Sequence, residues 1–175
     1  MNNSPTAYYF GYGFNINPLL FKKRLKDVKK SSTFRQQLHD EPDPLDMGNY
    51  ILHHYKFSYD LDLRKFKEKG TAGTVTPVRH HMVYGVLYRI TEPQLKRLDR
   101  SEEVPRIYQR ILVTVCKEKD PDSCIEAWID IAEENAKTTK PEPENSYVDE
   151  ILKAAYLRQF PETYIDHYLR FPPRA

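Results

Sequence analysis

The segment MVYGVLYRI at residues 82–90 is apolar at nearly every position, so a strand built from it is buried on both faces. Such a strand sits inside a sheet and needs neighbours on either side. The chain offers them at residues 7–12, 50–59, 71–76, 109–116 and 124–131, each a short run rich in aromatic and β-branched residues. A polar stretch at 65–70 ends in the turn glycine Gly70, and Pro121 with Asp122 marks the turn between the last two runs. Helical spacing is confined to a few places. Asn17 and Pro18 read as an N-cap and first helical residue ahead of Phe21, Leu25 and Val28. Thr91 and Gln94 have the spacing of a capping box, with Leu95 and Leu98 facing inward. Ser146 opens a helix through Tyr147, Ile151, Ala154, Ala155 and Arg158, and Pro161 opens a last one through Tyr164, Ile165 and Tyr168. About six strands, mostly in consecutive pairs, with few short helices predict an α+β fold with a mixed, barrel-like sheet rather than a doubly wound one. The whole of 1–175 reads as one domain.

Charge excludes some functions. There are 27 basic and 25 acidic residues, a net charge of +2, with no footprint for nucleic acid or an anionic membrane. The densest basic run, 22–30, is broken by Leu25, Asp27 and Val28 and reads as a solvated helix face. The N-terminal residues lack the pattern of a signal peptide, and no apolar run reaches the roughly 20 residues of a membrane helix, so a cytoplasmic location is the default expectation. Cys116 and Cys124 lie on consecutive strands. A cross-strand bridge is open to them, but two reduced thiols are the favoured reading. His53-His54 and His80-His81 are adjacent pairs whose members point to opposite strand faces, so no metal site is expected. There is no G-x-S-x-G elbow. The stripe Tyr164, Tyr168, Phe171 packs the last helix or forms a homodimer surface. Residues 31–48 read as an exposed excursion, and the polar stretch 133–145 is long enough for a lid.

Two local features carry chemistry. Tyr12-Gly13-Phe14-Asn15 joins a strand to a helix, where successive backbone N–H groups form an anion-holding concavity. The third glycine of a dinucleotide fingerprint is missing. Glu102 follows a short capped helix and is flanked by Glu103, a like charge that raises a carboxyl pKa. Each alone is more often a turn or a solvated acidic pair.

Taken with their surroundings, these segments resemble the γ-glutamyl cyclotransferase family, also called AIG2-like or BtrG-like. YFGYGFN at 9–15 resembles its Y-F-A-Y-G-S-N loop, and GTAGTVTP at 70–77 its glycine-rich strand. VYGVLYRIT at 83–91 is similar to V-W-G-V-L-Y-x-L-T, and LDRSEEVPRIYQR at 98–110 to L-D-x-x-E-G-V-P-x-x-Y-x-R. SYVDEILKAAYLRQFPETY at 146–164 resembles the late helical segment. The resemblance implies a metal- and cofactor-independent enzyme acting on a small γ-glutamyl compound. The substrate's own α-amine attacks its γ-carbonyl, giving 5-oxoproline and a free amine. It implies Glu102 as the acid and base, backbone N–H groups of Gly13, Phe14 and Asn15 beside Tyr12 as the anion cradle, and Tyr108 and Tyr147 around the glutamyl moiety. Phe14 stands where the family has serine and Glu103 where it has glycine. These departures motivate an alternative: a catalytically lapsed relative that binds an acidic metabolite or a protein partner.

Overall fold

Residues 71–76 and 82–90 belong to one strand. In the computed structural model, which describes residues 4–26, 41–101 and 106–174, β3 runs unbroken over Thr71–Thr91. It pairs antiparallel with an equally extended β2, Leu45–Asp62, from Leu45↔Arg89 to Asp62↔Thr71. The ladder crosses three register shifts, and His54 and His80 take the left-handed backbone conformation (φ +63° and +65°). These bulges absorb Pro77 and the polar residues after it, which in sequence look like a break. Among the described residues the expected six strands are therefore five.

β1 (Thr6–Gly11) pairs with β3, β2 also meets β4 (Tyr108–Lys117), and β4 pairs with β5 (Asp120–Ala132). A parallel contact between Tyr9 and Trp128 joins β5 to β1, closing the sheet into a ring in the order β1-β3-β2-β4-β5. The hairpin turn between β4 and β5 falls at residues 118–119, and Pro121 and Asp122 lie inside β5. This turn sets Cys116 opposite Cys124, and the two are bonded (S–S 2.06 Å). The favoured reading of two reduced thiols is corrected accordingly.

Local signals place the helices. α1 (Pro18–Lys26) starts where expected, with Asn17 Oδ1 accepting from the amides of Leu19 (3.0 Å) and Leu20 (3.3 Å). Val28 and the end of the basic run, residues 27–30, lie outside the described residues. α2 (Glu92–Ser101) has its capping box: the Thr91 amide donates to Gln94 Oε1 (2.8 Å) and the Gln94 amide to Thr91 Oγ1 (3.2 Å). α3 spans Asn145–Leu157, two residues earlier than the Ser146 cap predicts. α4 (Glu162–Tyr164) runs on as a π-helical turn, Ile165–Leu169. Its aromatic stripe packs inward at the buried Tyr164, 4.8 Å from Tyr84 between ring centroids, while Phe171, 6.0 Å from Tyr59, is exposed. No described helix is long and apolar enough to cross a membrane.

A stack of three rings fixes α1 and β1 to the sheet. Phe21 lies 5.5 Å from Tyr9 and 4.1 Å from Tyr88, and all three are essentially inaccessible. Each such pair adds about 0.5–1.5 kcal/mol beyond burial itself. The segment after β5 is held down rather than left loose. A short 3-10 turn, Glu134–Ala136, buries Ala136, and Lys137 bridges to Leu61. The Thr138 amide donates to the Asp60 carbonyl (2.8 Å), and the Glu142 amide to Thr71 Oγ1 (2.9 Å). Arg64 binds Glu142 from β2's end (2.6 Å). The expected lid is a strap on β2 and β3.

Candidate functional site

β1 delivers the chain to the site. After Gly11, Tyr12 leads into a 3-10 turn at Gly13–Ile16. Gly13 has φ +57°, and a Cβ there would stand 3.1 Å from the Phe57 ring, so the position suits glycine on both counts. The Asn15 amide donates to the Tyr12 carbonyl (3.1 Å), and the Tyr88 hydroxyl donates to the Asn15 carbonyl (2.8 Å). The amide of Asn15 thus serves the turn. That corrects the expected cradle of three N–H groups to two, Gly13 and Phe14, which open the turn and have no partner within it. Asn15 contributes its side chain instead, with Oδ1 accepting from Arg24 Nη1 at 2.9 Å.

Phe14 turns its ring onto Tyr147, with centroids 5.6 Å apart and planes 11° from parallel. The Tyr147 hydroxyl accepts from the Gly73 amide at 3.0 Å. A Cβ on residue 73 would lie 2.5 Å from Phe57, so β3 passes here only because Gly73 has no side chain. The ring that stands in place of the family's serine therefore forms a wall with Tyr147.

All six residues expected to bind substrate, Tyr12, Gly13, Phe14, Asn15, Tyr108 and Tyr147, line one small pocket of about 30 Å³ open to solvent. Tyr9, Arg24, Gly73 and Asp130 complete it. Glu102, the expected proton carrier, and Glu103 lie outside the described residues. On the described side, Leu98 is buried in the core, and Asp99 accepts from Arg110 Nη1 at 2.9 Å. Arg110 in turn lies over the half-buried Trp128, 4.9 Å from its ring centre. Among the described residues no group of three or more His, Cys, Asp or Glu side chains is arranged to hold a metal.

Asp130 was not expected. It is 3% exposed, and Oδ2 accepts from the Tyr9 hydroxyl at 2.9 Å. Oδ1 has no hydrogen-bond partner among the described residues. The Tyr12 hydroxyl donates to its main-chain carbonyl. Burial pushes the carboxyl up to about 6; the bond from Tyr9 opposes this, and repulsion from Asp99 adds to it. Burial likewise holds the phenols of Tyr9, Tyr12, Tyr108 and Tyr147 above their ordinary range, so all four are neutral donors. The sequence signal for Asp130 was a carboxylate among apolar residues in AWIDIA, where a strand charge has no neighbouring partner.

This carboxyl has a consequence for stability. Its pKa rises on folding from 3.8 to about 6. The folded protein therefore holds the proton more tightly than the unfolded chain, and stability falls as pH climbs through that window. Asp130→Asn carries no such titration. Relative to the parent it is expected to gain up to about 3 kcal/mol between pH 4 and pH 7.5, read by urea denaturation at both. An equal difference at the two pH values would contradict the assignment.

The model of the AIG2-like family matches residues 82–168. That match covers just under half of the chain. No curated protein matches it. Among solved structures, the chain resembles one named gamma-glutamyl cyclotransferase, at 19% identity and a TM-score of 0.66, over 91% of this chain and 83% of that one. An uncharacterised protein from Homo sapiens matches at 20% identity and a TM-score of 0.66, over 91% and 83% of the two chains. YkqA from Bacillus subtilis matches at 23% identity and a TM-score of 0.63, over 87% of this chain but 49% of its own length. At such identities the likeness shows the fold: mixed α+β and γ-glutamyl cyclotransferase-like.

Proposed function

We propose that this protein is a γ-glutamyl cyclotransferase, releasing 5-oxoproline and a free amine or amino acid from a small γ-glutamyl compound. The observation that supports this best is the convergence of segments far apart in sequence on one pocket: the turn at Tyr12 to Asn15, Gly73, Tyr108 and Tyr147. The pocket is narrow and walled by aromatic rings, and with the Tyr9 and Tyr12 hydroxyls given to Asp130 it offers the neutral phenols of Tyr108 and Tyr147 to a ligand's carboxylate and carbonyl oxygens.

In this reading Glu102 takes a proton from the substrate's α-ammonium. The freed nitrogen pair attacks the γ-carbonyl carbon, and the bond from that carbon to the leaving nitrogen breaks. The same carboxyl returns that proton to the departing nitrogen and relays to it the second proton that the attacking nitrogen sheds on becoming the ring amide, so the amine leaves as its ammonium. The nucleophile is already part of the substrate, so a pocket that holds the glutamyl chain curled supplies much of the rate. The Gly13 and Phe14 amides and the tyrosine hydroxyls steady the oxygens. Tyr108 stands six residues after Glu102 in the sequence and lines the pocket.

The test is 5-oxoproline release from γ-glutamyl amino acids, γ-glutamyl amines and γ-glutamyl-ε-lysine, followed by chromatography. Release from at least one class is expected. Stabilisation by these compounds without release from any would favour the binding module instead.

A further inference from the structure

The described lining of the pocket holds two charged side chains, Arg24 and Asp130. Everything else polar around them is a neutral phenol, an amide or backbone. Asp130 is almost wholly buried, and one of its oxygens lacks a donor among the described residues although tyrosines surround it. A buried acceptor left without a donor is destabilising, and folds that retain one usually have an outside partner for it. A donor carried by the ligand would complete it, and a charged N–H group makes the strongest hydrogen bond to a carboxylate.

We infer that Asp130 receives the α-ammonium of the ligand's amino-acid head, while Arg24 faces its α-carboxylate. The inference rests on the cyclotransferase reading and adds to it the residues that recognise the glutamyl head. A site built this way rejects analogues lacking the amine, because they leave a buried charge unpaired. Asp130 is then a specificity residue, distinct from the proton carrier Glu102. Around it stand Tyr9 from β1, Tyr12 from the turn, Arg24 from α1, Asp99 from α2, and Tyr108 and Arg110 from β4. The carboxyl titrates near pH 6, and the tyrosines stay neutral across the range that matters.

The experiment uses the full chain carrying Glu102→Gln, so that binding is read without turnover. Calorimetry compares γ-glutamylmethylamide with N-methylglutaramate, its counterpart without the α-amine. At pH 7.5 the amine-bearing compound is expected to bind at least ~10-fold tighter, and adding Asp130→Asn is expected to cut that ratio below ~3-fold. A second measurement needs no Asp130 variant. Lowering the pH from 7.5 to 5 should weaken γ-glutamylmethylamide and leave N-methylglutaramate unweakened. An unchanged ratio in the Asp130→Asn protein overturns the inference, as does a parallel loss for both compounds, which would mark a structural role. If the wild type releases 5-oxoproline while the ratio stays put, this inference falls alone. If neither release nor binding occurs, the cyclotransferase reading falls with it.

Discussion

Glu102→Gln is expected to lower 5-oxoproline release by about 10²–10⁴-fold while leaving ligand binding nearly intact. The reaction must move a proton off an ammonium with an ordinary pKa well above neutrality and onto an amine as it leaves. Glutamine keeps the shape and some hydrogen bonds but can neither accept nor return a proton. Turnover and binding therefore part company: the thermal shift produced by γ-glutamyl compounds persists, and the product disappears. The variant also separates Glu102 from Asp130. Loss of turnover with retained discrimination for the α-amine assigns proton transfer to the first and recognition to the second. Full activity in Glu102→Gln would move the chemistry to another carboxyl, with Asp130 the first to examine.

The second large effect is expected at Gly73, where fold and pocket meet. An added methyl would stand 2.5 Å and 2.6 Å from two carbons of the Phe57 ring. That ring is 1% exposed and held edge-on by Tyr12 (6.3 Å) and Tyr59 (5.0 Å). It also lies under Gly13, so pushing it away from Gly73 pushes it against the turn that frames the pocket. Gly73→Ala should cost about 1–3 kcal/mol in urea denaturation, the usual range for overpacking a tight core. It should weaken ligand binding too, because the Gly73 amide positions Tyr147. Phe57→Leu in the same protein should recover part of the stability by giving the methyl room. A Gly73→Ala protein as stable as the parent would mean the ring has space the geometry does not show.

Features with a local cause were legible in the sequence. Asn17 caps α1 and Thr91 with Gln94 caps α2 because the bonds involved span two or three residues. The turn at 12–15 showed locally as a glycine joint between strand and helix, whereas Tyr108 and Tyr147 were singled out only through the family resemblance, since no periodicity links positions so far apart. What failed depended on partners distant in the chain. Pro77 and the histidines after it look like a break, yet β2 supplies a bulged ladder that carries the strand through. Pro121 and Asp122 look like a turn, and placing it there hid the register that opposes Cys116 to Cys124. Asp130 sits in an apolar run whose meaning appears only when Tyr9 and the Tyr12 hydroxyl arrive from β1. The long polar stretch after β5 reads as mobile on composition alone, because its anchors, Asp60, Leu61 and Thr71, lie more than sixty residues earlier.

The fastened strap has a kinetic meaning. With its backbone tied to β2 and β3, the approach to α3 is fixed, and Tyr147 reaches its place against Phe14 and Gly73 before any ligand arrives. Little ordering is left to be done at encounter. Association should then proceed in one phase whose rate climbs linearly with ligand concentration, without the plateau that a closing gate imposes.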